Sequence, residues 1–138
     1  MATIRKHVIR NIVTLDAAVS CREAARLMSE RKIGSIGVRV NGKLTGLVTE
    51  RDIVTAVAAK GADGSLPLGD ATRDLPRISP DATEAECAQV MKAQVTRHLL
   101  VEERGEIVGM ISMRDLIQLM LDEKQFLIEQ LQAYIAGR

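Results

Sequence analysis

The sequence predicts a mixed α/β (α+β) chain. It reads as two copies of one β-α-β-β-α unit, packed as a pseudo-two-fold pair and followed by an extended C-terminal helix. Three observations carry this expectation. A shift of 63 positions lays one half of the chain on the other without a gap, and a repeat of that kind sets the architecture. Both halves carry the same order of helix-start and hairpin signals. One such unit cannot cover its own small sheet, so two should pack face to face and share a core.

The repeat is specific. Glu23 falls on Glu86, Ala25 on Ala88, Met28 on Met91 and Val38 on Val101. Gly42 falls on Gly105, Gly46 on Gly109, Arg51 on Arg114 and Asp52 on Asp115. Each copy opens with a short apolar stretch, Ile12 to Leu15 or Arg77 to Ile78. Ser20-x-x-Glu23 and Thr83-x-x-Glu86 follow as capping boxes, in which a hydroxyl and a carboxylate satisfy orphan amides at a helix start. The helices carry apolar stripes, Ala24/Leu27/Met28 and Cys87/Val90/Met91, at helical spacing. Two strands come next, Ser35 to Val40 and Lys43 to Thr49, joined by Asn41-Gly42, a strong hairpin signal. Their counterparts, His98 to Glu102 and Glu106 to Ser112, are joined by the weaker Arg104-Gly105. A second helix bears Ile53/Val54/Val57 in one copy and Leu116/Ile117/Met120 in the other.

These signals divide the chain into a first repeat (1–60), a linker rich in turn formers (61–70), a second repeat (71–121) and a helical extension (122–138). From Met113 to about Ile135 there is no Pro or Gly. Ile117, Met120/Leu121, Lys124, Leu127/Ile128, Leu131 and Tyr134/Ile135 recur at three- and four-residue steps. Such a helix either folds back over its own domain or packs on a partner helix. The stripe running on past Leu121 favours self-association.

Composition excludes several function classes. The chain has one Phe, one Tyr and no Trp, so no aromatic platform exists for stacking single-stranded bases. Net charge is +1 with the signs mixed, which argues against nucleic acid and anionic membranes as partners. No apolar run approaches a membrane span and no signal peptide opens the chain, so the expected location is cytoplasmic. Cys21 and Cys87 have no Cys or His at metal-ligand spacing, and no metal is expected. His7 and His98 belong to no recognisable nucleophile motif, and no Walker loop or dinucleotide fingerprint occurs. The expected protein is not an enzyme and requires no cofactor.

The most informative segment is Gly46-Leu47-Val48-Thr49-Glu50-Arg51-Asp52, repeated as Gly109-Met110-Ile111-Ser112-Met113-Arg114-Asp115. A strand ends at the hydroxyl residue and a helix begins at once. Such a junction turns free amides and the positive end of a helix dipole toward anions. A carboxylate one turn on can accept two hydrogen bonds, as vicinal sugar hydroxyls would donate. The glycines allow close approach of a ligand or of another backbone. Thr-x-x-Asp and Ser-x-x-Asp are also capping boxes in their own right, so spacing alone leaves capping and ligand binding both open.

Residues 8–121 resemble a pair of CBS (cystathionine-β-synthase-type) domains, often called a Bateman module. The Gly-apolar-x-Thr/Ser-x-x-Asp pattern matches that family's ribose-phosphate signature in both copies. The resemblance implies that Asp52 and Asp115 hold ribose hydroxyls and that Thr49 and Ser112 assist at ribose or phosphate. It implies that Gly34-Ser35-Ile36 and Arg97-His98-Leu99 line the adenine or phosphate side. Thr14-Leu15 and Arg77-Ile78 would complete the pockets, beside Gly46 and Gly109. Arg51 and Arg114, on the first turns of their helices, are placed for phosphate contact or for solvent. The expected ligands are AMP, ADP or ATP, with NAD or S-adenosylmethionine as alternatives. A homodimer is implied, signalling to a separate downstream protein; the competing reading is an interaction scaffold with vestigial pockets. The copies depart from the family pattern at Gly37 and Leu100, where Pro is frequent, and at Asp16-Ala17-Ala18. They also differ from each other, Arg97-His98 standing where the first copy has Gly34-Ser35. Two unequal sites are therefore expected, with Arg97 and His98 as a phosphate clamp.

Overall fold

Each unit folds as a three-stranded sheet with a helix after its first and third strands. The computed structural model describes residues 3–61 and 63–137. The first two residues of repeat 1, Ala62 of the connector and Arg138 at the end of the last helix lie outside the described residues. The first half contains β1 (Thr14–Asp16), α1 (Cys21–Arg31), β2 (Ser35–Val40), β3 (Lys43–Thr49) and α2 (Glu50–Ile53), which widens into a π-helical turn, Val54–Ala59. The short α3 (Leu68–Ala71) precedes the second half: β4 (Arg77–Ile78), α4 (Glu84–Gln94), β5 (His98–Glu103), β6 (Glu106–Ser112) and α5 (Met113–Ala136).

The two sheets have the same topology. β1 runs parallel to β2 and β2 antiparallel to β3; β4, β5 and β6 repeat this. Ser35 faces Thr49 as His98 faces Ser112, and each hairpin has a bulge, after Val38 or after Val101. Both hairpins turn through two positive-φ residues, Asn41 (52°) with Gly42 (78°) and Arg104 (56°) with Gly105 (78°). Two positive values mark the tight turn whose twist suits a hairpin. Arg104-Gly105 thus forms the same turn as the stronger Asn-Gly signal.

Helix starts follow the sequence signals only in part. Ser20 and Thr83 accept the amides of Glu23 and Glu86 at 3.1 and 3.2 Å. Glu23 turns its carboxylate to Arg26 instead of back to the cap. In the helix after β3, the wider π turn shifts the register of the apolar stripe. Ile53 and Val57 still reach the core, but Val54 is 60% exposed.

Each half buries its own core. Ala24, Met28, Ile36, Val38 and Val48 fill the first; Cys87, Met91, Leu99, Val101 and Ile111 fill the second. The shared core is a smaller cluster between the sheets, made of Leu47, Leu75 and Leu100 with Ile12, Ile107 and Met110.

The halves are also tied by exchanged arms. The segment before β1 lies on the second half: Thr3 bridges Thr83, the Ile4 amide donates to the Ala82 carbonyl at 2.9 Å, and Ile9 bridges Met110. The segment before β4 lies on the first half: Ser20 bridges Pro67, the Leu68 amide donates to the Val19 carbonyl at 2.7 Å, and Leu47 bridges Arg73. Ile4 and Leu68, each 0% exposed, plug the core of the opposite repeat. The 61–70 stretch read as a linker therefore also contributes core, through Leu68 and α3.

Helix α5 does not fold back. Leu116 and Leu119 are its buried residues, and every described residue from Asp122 onward is exposed.

Candidate functional site

The two Gly-x-x-Thr/Ser-x-x-Asp segments sit where β3 meets α2 and β6 meets α5. In both, the hydroxyl residue leaves the strand extended and caps the helix. Thr49 accepts the Asp52 amide at 3.2 Å, and Ser112 accepts the Asp115 amide at 3.2 Å. The carboxylates answer in kind. Asp52 Oδ2 accepts the Thr49 amide at 2.9 Å and its hydroxyl at 3.0 Å. Asp115 Oδ2 accepts the Ser112 amide at 3.0 Å and its hydroxyl at 2.6 Å. Both are complete capping boxes. Each uses one carboxylate oxygen and leaves the other for a second task.

The second oxygens differ. Asp52 Oδ1 accepts a charged hydrogen bond from Arg73 Nε, and the Asp52 side chain is only 3% exposed. Arg73 lies on the arm before β4, bridged to Leu47. By the 63-position repeat the counterpart of Arg73 on the other arm is Arg10, which lines a separate cleft with Arg39 and Lys43, while Ile9 bridges Met110, the counterpart of Leu47. Arg10 turns to that other cleft, and Asp115 Oδ1 accepts no hydrogen bond among the described residues.

Two adjoining clefts open along the junction of the halves. One, of about 580 Å³, holds Asp115, Ser112 and Arg114 with Ser35, Arg97 and His98, and has an apolar lining from Ile9, Met110, Met113 and Ile117. The other, of about 520 Å³, is lined by Thr49, Glu50, Arg51, Arg73, Lys92, Val95, Thr96 and Met91. The two share Gly34, Arg97, His98 and Met113, so they form a continuous groove. Both volumes lie within the range of small-ligand sites. A third cleft of about 320 Å³ lies beside Asp52, with Arg51 and Arg73 on its wall.

His98 lines both clefts. Burial pushes its pKa below the ordinary imidazole range. The charges of Arg73 and Arg97 push the same way, and Asp52 and Asp115 oppose them. His98 thus stays neutral to a lower pH than a free histidine.

The other expected residues lie elsewhere. Ile36 and Leu99 are fully buried in the two cores, and Leu15 and Ile78 pack against them. Thr14 accepts a hydrogen bond from Arg39 Nε at 3.0 Å. Arg77 pairs with Glu102 at 3.1 Å and lines a separate cleft with Arg10, Arg39 and Lys43. Gly46 and Gly109 admit the exchanged arms. A Cβ on Gly109 would meet the Ile9 carbonyl oxygen at 2.4 Å, and one on Gly46 the Thr72 methyl at 3.0 Å. The neighbour is the backbone of the crossing arm at Gly109 and a threonine side chain of the other arm at Gly46. Arg73 and Lys92 were not legible as site residues. Arg73 becomes one only through the crossing of the arms, and in sequence it stands in a loop beside Asp74.

Among the described residues no group of three or more His, Cys, Asp or Glu is placed to hold a metal ion. Cys21 and Cys87 are buried free thiols, and burial pushes the Cys87 thiol up to about 11. Such a thiol is a core residue and a poor nucleophile. No helix among the described residues is long and apolar enough to cross a membrane.

Comparison with known proteins agrees with this architecture. The family model for the CBS domain matches twice, over residues 4–59 and 68–122. The CBS domain-containing protein YhcV of Bacillus subtilis is 27% identical over 117 residues, 84% of each chain. An inosine-5'-monophosphate dehydrogenase of Korarchaeum cryptofilum is 34% identical over 110 residues, but the chain spans only 22% of that enzyme. Among solved structures, a CBS-domain containing protein of Agrobacterium tumefaciens superposes with a TM-score of 0.77 at 30% identity, covering 86% of this chain and 99% of that one. The CBS domain pair of protein MJ0100, in complex with 5'-methylthioadenosine and S-adenosyl-L-methionine, shares the fold with a TM-score of 0.75 at 19% identity, covering 89% and 98%. With two matched domains, two like sheets and a repeated strand-to-helix signature, this chain belongs to the CBS-domain family as a tandem pair.

Proposed function

We propose that this CBS pair is a non-enzymatic sensor that binds an adenine nucleotide of the AMP, ADP or ATP class in the cleft at Asp115. One observation carries the reading: the Asp115 carboxylate keeps an open oxygen in a cleft of about 580 Å³, beside Arg97 and His98. That oxygen has two lone pairs for vicinal ribose hydroxyls. Ile9, Met110 and Ile117 offer the adenine an apolar bed. Phosphates would run toward Arg97 and into the adjoining groove, where Arg51, Arg73 and Lys92 outnumber the single carboxylate of Glu50. The MJ0100 pair supports the reading in one respect, since the same fold there holds adenosine-containing ligands.

Binding must favour one arrangement of the pair over another to act as a signal. The exchanged arms offer such an element, because Ile9 touches both the cleft and the opposite repeat. The signal would pass to a separate downstream protein in the cytoplasm, where these nucleotides are abundant.

A second reading is an interaction scaffold with vestigial pockets. The completed capping boxes favour it, since both carboxylates are engaged by their own helix starts. Thermal melting with AMP, ADP, ATP, NAD and S-adenosylmethionine separates the two. A ligand at about a hundred times its dissociation constant adds roughly 2.7 kcal/mol. For a chain of this size that is a rise on the order of 8–10 °C. If none of the five moves the melting point, the scaffold reading stands in its place.

A further inference from the structure

Strands β3 and β6 end at Thr49 and Ser112, beside the groove, and begin at Lys43 and Glu106, beside the two hairpin turns. A seven-residue strand is roughly 20 Å long, so the turns are remote from the groove. A cleft of about 440 Å³ opens at the turns and includes no residue of either Gly-x-x-Thr/Ser-x-x-Asp signature. Equivalent residues of the two hairpins line it: Gly42, Lys43 and Leu44 from one, Gly105, Glu106 and Ile107 from the other.

The charge of this cleft is one-sided. Arg10, Arg39, Lys43 and Arg77 line it against the single carboxylate of Glu106, in a chain whose net charge is only +1. Glu102 pairs with Arg77 at 3.1 Å. Among the described residues, no ion pair involves Arg10, Arg39 or Lys43. Three cations thus share one concave surface with no anion bonded to them, and their mutual repulsion favours an anion between them. Arg39 is also held in position. Its Nε donates to Thr14 Oγ1 at 3.0 Å and its Nη1 to the Gly42 carbonyl at 3.1 Å. Both acceptors are neutral, so the fork is fixed while its charge stays uncompensated. A guanidinium placed in this way loses little freedom on taking an oxyanion.

The lining also selects the class of occupant. The only aromatic residues, Phe126 and Tyr134, lie on α5, so no ring is present to stack a base, and Leu44 and Ile107 give a small aliphatic floor. The cations converge on a cleft of small-molecule size and form no stripe for a nucleic-acid backbone to follow. A single phosphate carries about two negative charges at neutral pH, fewer than the three open cations. We propose that this cleft is a second binding site, distinct from the groove at Asp115, for a small anion carrying several phosphate groups held by Arg10, Arg39 and Lys43. Guanidinium forks take phosphate oxygens in pairs, and the lysine adds a point charge.

Calorimetric titration of inorganic tripolyphosphate into the full chain, with amide NMR shifts to locate it, tests this. The expected result is saturable binding that moves the amides of Gly42, Lys43, Gly105 and Glu106 and weakens as salt is raised. Inorganic phosphate should bind at least roughly tenfold more weakly, having fewer charges to offer. The repeat itself supplies variants that the fold accepts, because Lys43 and Glu106 hold equivalent positions and each already stands in the other's place. Lys43→Glu should weaken tripolyphosphate binding at least roughly tenfold, and Glu106→Lys should tighten it, both with melting points near that of the wild type. Nucleotide binding at Asp115 is read separately through Asp115→Asn, so either site can fail alone. Hairpin amides that do not move, or an affinity indifferent to Lys43→Glu, would overturn the proposal. So would inorganic phosphate binding as tightly. A glutamate-rich peptide that displaces tripolyphosphate at lower concentration would also overturn it, marking the cleft as a protein-docking surface.

Discussion

Asp52 shares a charged hydrogen bond with Arg73, and Asp115, its counterpart one repeat later, has no such partner. The two signatures are equal in sequence and unequal in space. The difference arises outside them, on the arms that cross between the halves: one arm brings Arg73 to Leu47, the other brings Ile9 to Met110. A ligand approaching Asp52 must displace a guanidinium from a carboxylate that is nearly dry. One approaching Asp115 meets an unengaged oxygen. The sequence led us to expect unequal sites on a different ground, Arg97-His98 standing where the first copy has Gly34-Ser35.

Replacing Arg73 by isoleucine would remove the cation that occupies Asp52 and leave its second oxygen open, as that of Asp115 is. Arg73→Ile is expected to raise the nucleotide stoichiometry from one to two per chain, by isothermal titration. A stoichiometry still at one would show that the ion pair is not what closes the Asp52 side. Loss of the pair leaves a buried carboxylate uncompensated, so a lower melting point should accompany the gain.

The glycines make a separable prediction about the arms. Gly109→Ala sets a methyl 2.4 Å from a backbone carbonyl, which has no rotamer to yield with. Overpacking of this kind costs about 1–3 kcal/mol. Gly46→Ala meets a threonine methyl at 3.0 Å, which can shift, and should cost less. Urea denaturation of both variants checks the order. Equal costs would mean that the arm before β1 is less firmly seated than the structure has it.

Val95 ends α4 at φ 52° and is 86% exposed. A left-handed conformation costs a non-glycine residue about 1–2 kcal/mol, and a β-branched side chain fits it poorly. So little of the side chain is buried that its loss removes little packing. Val95→Gly should raise stability by roughly 1 kcal/mol after glycine's own entropy cost is taken off. A lower melting point for this variant would count against the assigned backbone.

Stability should also depend on the Glu84–Glu123 contact. Burial, and then Glu123, holds the Glu84 carboxyl above the ordinary carboxylate range. The folded state therefore keeps a proton at pH values where the unfolded chain has lost it. Stability falls as pH rises from the ordinary Glu range through that raised value, and it stays lower above it. Glu123→Gln should raise the melting point at neutral pH and flatten part of the acid-side slope. The share due to burial should remain. An unchanged profile would remove Glu123 as a cause.

Much of the fold was legible because its signals are local. Helix starts at Ser20 and Thr83, the turn at Asn41-Gly42 and the alternation of apolar residues act within a few positions of the chain. The same locality explains what was missed. That Thr-x-x-Asp caps a helix and that it could hold a sugar looked like competing readings. The structure shows that a cap consumes one oxygen, so the second oxygen decides. Its fate depends on whether Arg73 or its counterpart Arg10 reaches it after the arms cross, and no pattern along the chain reports that only Arg73 does. The π turn after Ile53 was equally hidden, since Ile53/Val54/Val57 reads as an ordinary stripe until the backbone widens and Val54 turns outward. The assignment of Thr14, Leu15, Arg77 and Ile78 to the pockets came from family resemblance alone. Here those residues support β-strand packing or a cleft away from Asp115.

The most direct test of the account is calorimetric titration of AMP, ADP and ATP into the wild-type chain, Asp115→Asn and Asp52→Asn. Asparagine keeps the side-chain shape and most of the cap while removing the charge. One site per wild-type chain is expected, retained in Asp52→Asn and weakened at least roughly tenfold in Asp115→Asn, as for loss of a hydrogen bond to a charged group. Binding that survives Asp115→Asn undiminished, or that vanishes with Asp52→Asn instead, would contradict it.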